Sequence, residues 1–187
     1  MYKITKGVHI HFAHVVEGHS GLCLGPHGHT WYFSVTLASA ALDAEGFVCD
    51  FSKLKKKVLM PTEAALDHGF ALGADLFTKI KDPLSAMGDT LLGTRVKIHG
   101  LADACIMHEN NVQKSVHIEL PDAEVRFLGS VKAVVFNFTP TSERLACWLY
   151  YFAKAVMHDE RVAVISARVY ETLQPVESYA EYSENDG

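Results

Sequence analysis

The densest chemical signal in this 187-residue chain is the segment Cys23-Leu24-Gly25-Pro26-His27-Gly28-His29. On a strand, residues at i and i+2 project from one face, roughly 6.7 Å apart along the chain. Two imidazoles so placed can converge on one cation at Zn–N distances of about 2.0–2.1 Å. Gly28 between them has no side chain, so close backbone packing is possible there. A third imidazole from the neighbouring strand would complete a three-histidine set with one zinc position open to substrate. His14 is best placed, because it closes the apolar parity Val8, Ile10, Phe12; His9, His11 and His19 are the alternatives. The competing reading is of ordinary surface or core histidines in a chain that has 11 of them. A glycine-centred pair, a cysteine four residues earlier and a third histidine on the adjoining strand favour zinc.

Three further groups bear on chemistry. Cys23 is either a small buried hydrophobe or, beside a dication, a thiolate able to ligate the metal or take a proton. Asp67-His68 by itself is more often a capping or solvated pair than a proton relay. Glu171 ends an apolar strand face, where an ionised carboxylate needs a partner. That partner is an arginine, a set of backbone N–H groups, or a ligand offering two adjacent N–H donors. Cys49, Cys105 and Cys147 lack such a context, and Cys49 and Cys147 are expected to pack in the core.

The elements that must position these groups are legible as periodicities. Val8, Ile10 and Phe12 alternate with His9 and His11, as on a half-buried strand, and Trp31, Phe33, Val35 and Leu37 form a second such face. Gly46 marks a turn, and residues 47–51 read as a third, short strand. Residues 50–60 read as a helix burying Phe51, Leu54 and Val58 and exposing Lys55, Lys56 and Lys57. A stronger helix starts near Thr139-Pro140-Thr141-Ser142, capped by Thr139 or Thr141 with Pro140 in its first turn, and buries Leu145, Trp148, Leu149, Phe152 and Val156. A last strand over 161–171 places Ala163, Ile165, Ala167 and Val169 on one face. Between 82 and 130 the pattern weakens, with strand-like pieces at 95–99, 115–119 and 124–128. The order predicts an α+β fold with an antiparallel sheet, one domain over 1–187 with an insertion at about 82–130.

Composition narrows the partners. With 49% hydrophobic and 21% charged residues, a packed core is expected. A net charge of −5 and the lack of a basic stripe argue against nucleic acid. No apolar run approaches the roughly 20 residues that span a bilayer, and the first residues lack a signal-peptide pattern. Four widely spaced cysteines with no C-x-x-C pair fit a reducing cytoplasm.

Taken together, these pieces resemble the 6-pyruvoyl-tetrahydropterin synthase and 6-carboxy-5,6,7,8-tetrahydropterin synthase family. Val8-His9-Ile10-His11-Phe12-Ala13-His14 resembles the family's first strand, with Phe12 replacing an alanine. Cys23-x-x-x-His27-Gly28-His29 matches its C-x-x-x-H-G-H signature, the most specific element. Gly46-Phe47-Val48-Cys49-Asp50-Phe51, Leu66-Asp67-His68, Pro140-Thr141-Ser142-Glu143 and Glu171-Thr172 match its later motifs in order. Two departures stand out: the asparagine that the family carries shortly after Leu-Asp-His is absent, Leu72 being followed by Gly73, and 82–130 lengthens a normally short connection.

The resemblance implies a tunnelling fold, an antiparallel sheet with two helices on one face, closed into a barrel as a tetramer or hexamer with active sites between subunits. It implies zinc on His14, His27 and His29, with Cys23 as general base. Asp67 and His68 would relay protons, and Glu171 would anchor the pterin ring. Thr141, Ser142 and Glu143 would line that pocket. The implied substrate is 7,8-dihydroneopterin triphosphate. The implied product is 6-carboxy-5,6,7,8-tetrahydropterin, with release of acetaldehyde and triphosphate, a step toward queuosine and related deazapurines. The three-residue spacer between Cys23 and His27 is what points to the carboxy branch. The alternatives are the pyruvoyl branch, which releases triphosphate but no acetaldehyde, and a zinc-binding member without turnover.

Overall fold

The computed structural model describes residues 1–99, 120–173 and 177–184, with backbone alone for 94–99. The alternating segments form the expected strands: β1 (Tyr2–His14) and β2 (His27–Ser39) pair antiparallel from Tyr2↔Ser39 to His14↔His27. Their inward parity is fully apolar along most of its length. Ile10, Trp31, Phe33, Val35 and Leu37 are wholly buried, which fixes the register because a one-residue slip would expose them all.

The chain then enters a loop rather than the strand expected at 47–51. Asp43 accepts from the N–H groups of Glu45 and Phe47, Gly46 turns at φ +86°, and Arg161 donates to the carbonyls of Ala41 and Phe47. Asp50 accepts from the Ser52 N–H at 2.7 Å and caps α1 (Phe51–Leu54), which ends the extended stretch. The helix runs on through a π-helical turn, Lys55–Leu59, into α2 (Met60–Leu66). The turn suits Pro61, which lacks an N–H and would crowd the carbonyl four residues back. The three lysines face solvent and Leu54 and Val58 are buried as expected, but Phe51 is 47% exposed.

After α2 come a short strand, β3 (Phe70–Gly73), and a helix the sequence did not announce, α3 (Ala74–His99). Residues 95–99, expected as strand, are its last turns. The expected strand at 115–119 and Cys105 lie outside the described residues. The expectation at 124–128 holds within β4 (Ala123–Leu128), which forms a hairpin with β5 (Val131–Phe136). Thr141 caps α4 (Ser142–Met157), its Oγ1 accepting from the Arg144 N–H; Pro140 lies just before the cap rather than in the first turn. β6 (Ala163–Thr172) and β7 (Ser178–Tyr182) complete the chain.

The sheet has seven strands in the order β4-β5-β3-β1-β2-β6-β7. It is antiparallel except at β3, which pairs parallel with both β1 and β5. Contact with β1 is confined to Ala13 and His14, so from Lys3 to His9 the outward edge of β1 meets no strand among the described residues. The α1–α2 segment and α4 share one core with the inward face, through Leu54, Val58, Leu66, Leu145, Leu149 and Phe152. α3 packs separately, burying Leu84 against Val15 and Leu72. Cys49 is buried as expected, whereas Cys147 is only half-buried, beside a surface cleft with Trp148 and Tyr151.

α3 meets the hairpin backbone to backbone. A Cβ on Gly88 would lie 1.9 Å from the Leu128 carbonyl oxygen, and the Gly88 carbonyl accepts from the N–H and hydroxyl of Ser130. Gly88→Val should therefore lower stability by about 1–3 kcal/mol, the usual cost of overpacking. Gly93→Ala, on the same helix with open space around it, should raise stability by up to about 1 kcal/mol. Urea denaturation of both variants checks this; equal effects would mean that the close approach does not hold α3 in place.

Candidate metal centre and active site

The antiparallel register that buries the core also assembles the histidines. His14 ends β1 directly opposite His27, and His29 lies opposite Phe12, so all three take the inward parity. One ligand nitrogen from each lies within 4.8 Å of the others. Nε2 of His14 and Nε2 of His27 are 3.0 Å apart, and the three ring centroids are 4.4–5.4 Å from one another. A Cβ on Gly28 would stand 3.2 Å from the Phe12 carbonyl oxygen, the close approach anticipated for that glycine. Beneath them lies Trp31, with its ring centroid 4.9 Å from those of both His14 and His29, stacked on Phe12 and donating from Nε1 to the Phe12 carbonyl. The rival histidines are elsewhere: His9 packs on Tyr32, His11 has the outward parity, and His19 accepts from the Gly21 N–H.

Hydrogen bonding decides what these rings present. His14 donates from Nδ1 to the Pro140 carbonyl at 2.8 Å, and His27 donates from Nδ1 to the Gly25 carbonyl at 2.9 Å. A carbonyl only accepts, so each neutral ring carries its proton on Nδ1 and a lone pair on Nε2. Two such lone pairs facing each other at 3.0 Å repel unless a cation lies between them. Nε2 of His29 is buried without a hydrogen-bond partner. Burial also keeps two of the rings neutral: it lowers His14 to about 4, the Pro140 hydrogen bond opposing, and lowers His29 against the raising charge of Glu171. Three converging imidazoles are a donor set that fits a zinc ion, and the group can hold a metal.

The other sequence candidates divide into two sets. Glu171 is close enough for its charge to act on His29. Thr141, Ser142 and Glu143 open α4 directly after Pro140, whose carbonyl holds His14. Glu143 curls onto that helix start: its own N–H and the hydroxyls of Thr141 and Ser142 hold its carboxyl below the usual range. Cys23 lies on a single 3-10 turn, Leu22–Leu24, and its carbonyl accepts from the Val16 N–H, which ties it beside the end of β1. Asp67 and His68 form a pair of their own. Asp67 accepts from the His11 N–H and, at 2.7 Å, from Nδ1 of His68, whose side chain is 83% exposed. His68 borders an open groove of about 480 Å³ that reaches His29 and is otherwise lined chiefly by outward-parity residues, among them His11, Ala13, Gly28 and Thr30.

Sequence reasoning missed the carbonyls of Pro140 and Gly25, which have no side-chain signature. It also missed Lys132, which donates to the carbonyls of Ala64 and Asp67 at 2.8 Å each. A lysine among Val131, Ala133 and Val134 was the available signal.

The His14 shift has a measurable consequence. The unfolded chain takes a proton near the ordinary value of 6.5 and the folded chain only near 4. Above 6.5 neither state is protonated and the ring contributes nothing to pH dependence; between 6.5 and 4 the unfolded state alone gains a proton. Metal-free protein should thus lose stability progressively as pH falls from 6.5 to about 4, and His14→Gln should flatten that slope. An unchanged slope in the variant would show that carboxylates account for it.

Comparison with known proteins extends the likeness over nearly the whole chain. Residues 3–185 match the family model described as 6-pyruvoyl tetrahydropterin synthase. The chain is 24% identical over 187 residues to the 6-carboxy-5,6,7,8-tetrahydropterin synthase of Haemophilus influenzae, covering 98% of this chain and 100% of that one. It is 41% identical over 58 residues to the Bacillus subtilis protein of the same name, covering 30% and 40%. Among solved structures, an uncharacterized protein from Wolinella succinogenes aligns with a TM-score of 0.60 at 21% identity, covering 98% of each chain. The 6-pyruvoyl tetrahydropterin synthase of Caenorhabditis elegans aligns at 0.53 and 16% identity, covering 98% and 96%. With its α+β tunnelling fold and its histidine cluster at the sheet end, the chain belongs to the 6-pyruvoyl tetrahydropterin synthase family.

Proposed function

We propose that this chain is a zinc-dependent lyase of pterin metabolism. It converts 7,8-dihydroneopterin triphosphate to 6-carboxy-5,6,7,8-tetrahydropterin, releasing acetaldehyde and triphosphate. The observation that carries this reading is the convergence of His14, His27 and His29, with Glu171 near enough to act on His29. The product is chosen from the three-residue Cys23–His27 spacer and from curated relatives named for it.

Glu171 accepts the ring amide N–H and the exocyclic amine of the pterin side by side, which directs the substrate side chain toward the imidazoles. Thr141, Ser142 and Glu143 close that pocket at the start of α4. When bound, zinc supplies Lewis acidity that makes a side-chain hydroxyl and the adjacent C–H more acidic. Cys23, as thiolate, removes the carbon-bound proton, and His68, held by Asp67, passes protons to and from solvent. Asp67 and His68 serve a histidine cluster of a neighbouring copy. In support, His68 is exposed beside β1, whose edge from Lys3 to His9 meets no strand among the described residues, and β7 offers a second free edge at the far side of the sheet. Unprotected edges of this kind are pairing surfaces, so the working form is a homo-oligomer, tetramer or hexamer. No helix among the described residues is long and apolar enough to cross a membrane, and Cys23, Cys49 and Cys147 are free thiols, in keeping with a cytoplasmic enzyme.

The name of the matched family favours one other reading, elimination of triphosphate without loss of carbon. Incubation of the purified protein with 7,8-dihydroneopterin triphosphate separates the two: acetaldehyde should form in step with triphosphate. Triphosphate without acetaldehyde would assign the pyruvoyl reaction, and neither product would assign a binding role.

Metal analysis of variants tests the site. His27→Ala should weaken zinc binding by about 10-fold or more, since loss of a ligand costs at least as much as loss of a group that merely orients one, roughly 10–100-fold. Cys23→Ala should keep its zinc and lose turnover. Loss of metal from Cys23→Ala would make the thiol a ligand, and full metal in His27→Ala would remove that ring from the site.

A further inference from the structure

We infer that Lys132 is a positioning residue for the Asp67–His68 pair, bridging two main-chain carbonyls of the turn that carries it. The inference rests on the role given above to His68 in proton transfer.

The turn leaves α2 abruptly. Asp67 makes the last helical hydrogen bond, to the Glu63 carbonyl, and its ψ of 132° breaks the helix. His68 then takes φ 55°, the left-handed region that few residues other than glycine adopt without cost. Gly69 closes the turn with its N–H on the Leu66 carbonyl, so tightly that a Cβ there would lie 2.7 Å from that oxygen. On one side the turn is tied to β1, since the Asp67 carboxylate accepts the His11 N–H and the His68 N–H donates to the His11 carbonyl at 2.7 Å. On the other side, Lys132 reaches from β5 to the Ala64 and Asp67 carbonyls.

That ammonium supplies donors to carbonyls at the end of α2. It satisfies carbonyls the helix leaves unpaired and places positive charge at the negative end of the helix dipole. The cost is visible: burial pushes the Lys132 amine below its usual range, with the Asp67 charge opposing. β5 pairs with β3 immediately beyond the turn, at Phe70↔Ala133, so the lysine backbone is itself fixed. Without Lys132, the turn would keep its tethers to His11 but lose the hold on the Asp67 carbonyl. The carboxylate that fixes His68 would then be held by the His11 N–H alone.

Lys132→Met, Lys132→Arg and His68→Ala, each as the full zinc-loaded protein, test this. Triphosphate release gives kcat and KM, and nitrogen-15 spectra of the His68 ring give its tautomer. Lys132→Met should lower kcat about 10-fold or more, as a small misplacement of a reacting group can. KM and zinc content should hold, and the spectrum should change from one tautomer to a mixture. Lys132→Arg, which keeps a two-carbonyl donor, should restore both kcat and the single tautomer. A single tautomer or an unchanged kcat in Lys132→Met would overturn the inference. A wild-type kcat in His68→Ala would instead overturn the proton-transfer reading, while the tautomer in Lys132→Met would still report whether the lysine holds the ring.

Discussion

Two main-chain carbonyls govern what the histidine cluster can do. By accepting from Nδ1, Pro140 and Gly25 fix the proton of His14 and His27 on the far side of each ring and turn both lone pairs to one point. A ligand with an undetermined tautomer would bind metal only part of the time. The two carbonyls come from opposite sources, one from the entry to α4 and one from the loop carrying Cys23. The cluster therefore knits together β1, β2, the Cys23 loop and the second core helix. The centre is not placed on a finished fold; it is one of the contacts that seats α4 against the sheet.

Core and chemistry share a face and differ only in position along it. Ile10, Phe12 and His14 follow one another at the same parity on β1, and Trp31 serves both as core filler and as the floor under the imidazoles. One step along, the outward parity leads to His11 and, through its main chain, to Asp67 and His68. A single strand thus presents a histidine of the candidate metal centre to one side and meets a carboxylate–imidazole pair at its edge. This separation favours a functional reading in which each copy contributes different groups to two different centres.

What the sequence made legible was periodic or local. Alternation placed β1 and β2, and with them His14, His27 and His29 on one face; Thr141 and the Leu145–Trp148–Phe152 spacing placed α4. What it obscured was decided by contacts distant in sequence. At 95–99, Val and Ile alternate with Lys and His, a strand-like pattern inside a helix whose run already contains Pro83, Gly88 and Gly93. Residues 47–51 are apolar enough for a strand, but Asp50 takes the cap role and Arg161, far along the chain, ties the loop down. β3 has only four residues, too few for any period, and exists because β1 and β5 flank it. Its parallel pairing makes the sheet mixed where an antiparallel one was expected. Within the candidate site the side chains were readable and the carbonyls that orient them were not.

The wide turn at Lys55–Leu59 sets a count as well as a shape. Each residue of an α-helix advances the chain by about 100° around the axis, so one additional residue in a turn rotates everything after it by that amount. Asp67 meets the His11 main chain only because α2 emerges in the rotated phase. Removing one residue between Lys55 and Leu59 would let the segment close as an uninterrupted α-helix, with Leu54 and Val58 still facing the core. The carboxylate, however, would be delivered about a quarter-turn away from the strand it now bonds. The phase of a helix more than ten residues long is in this way a coordinate of the carboxylate–imidazole pair.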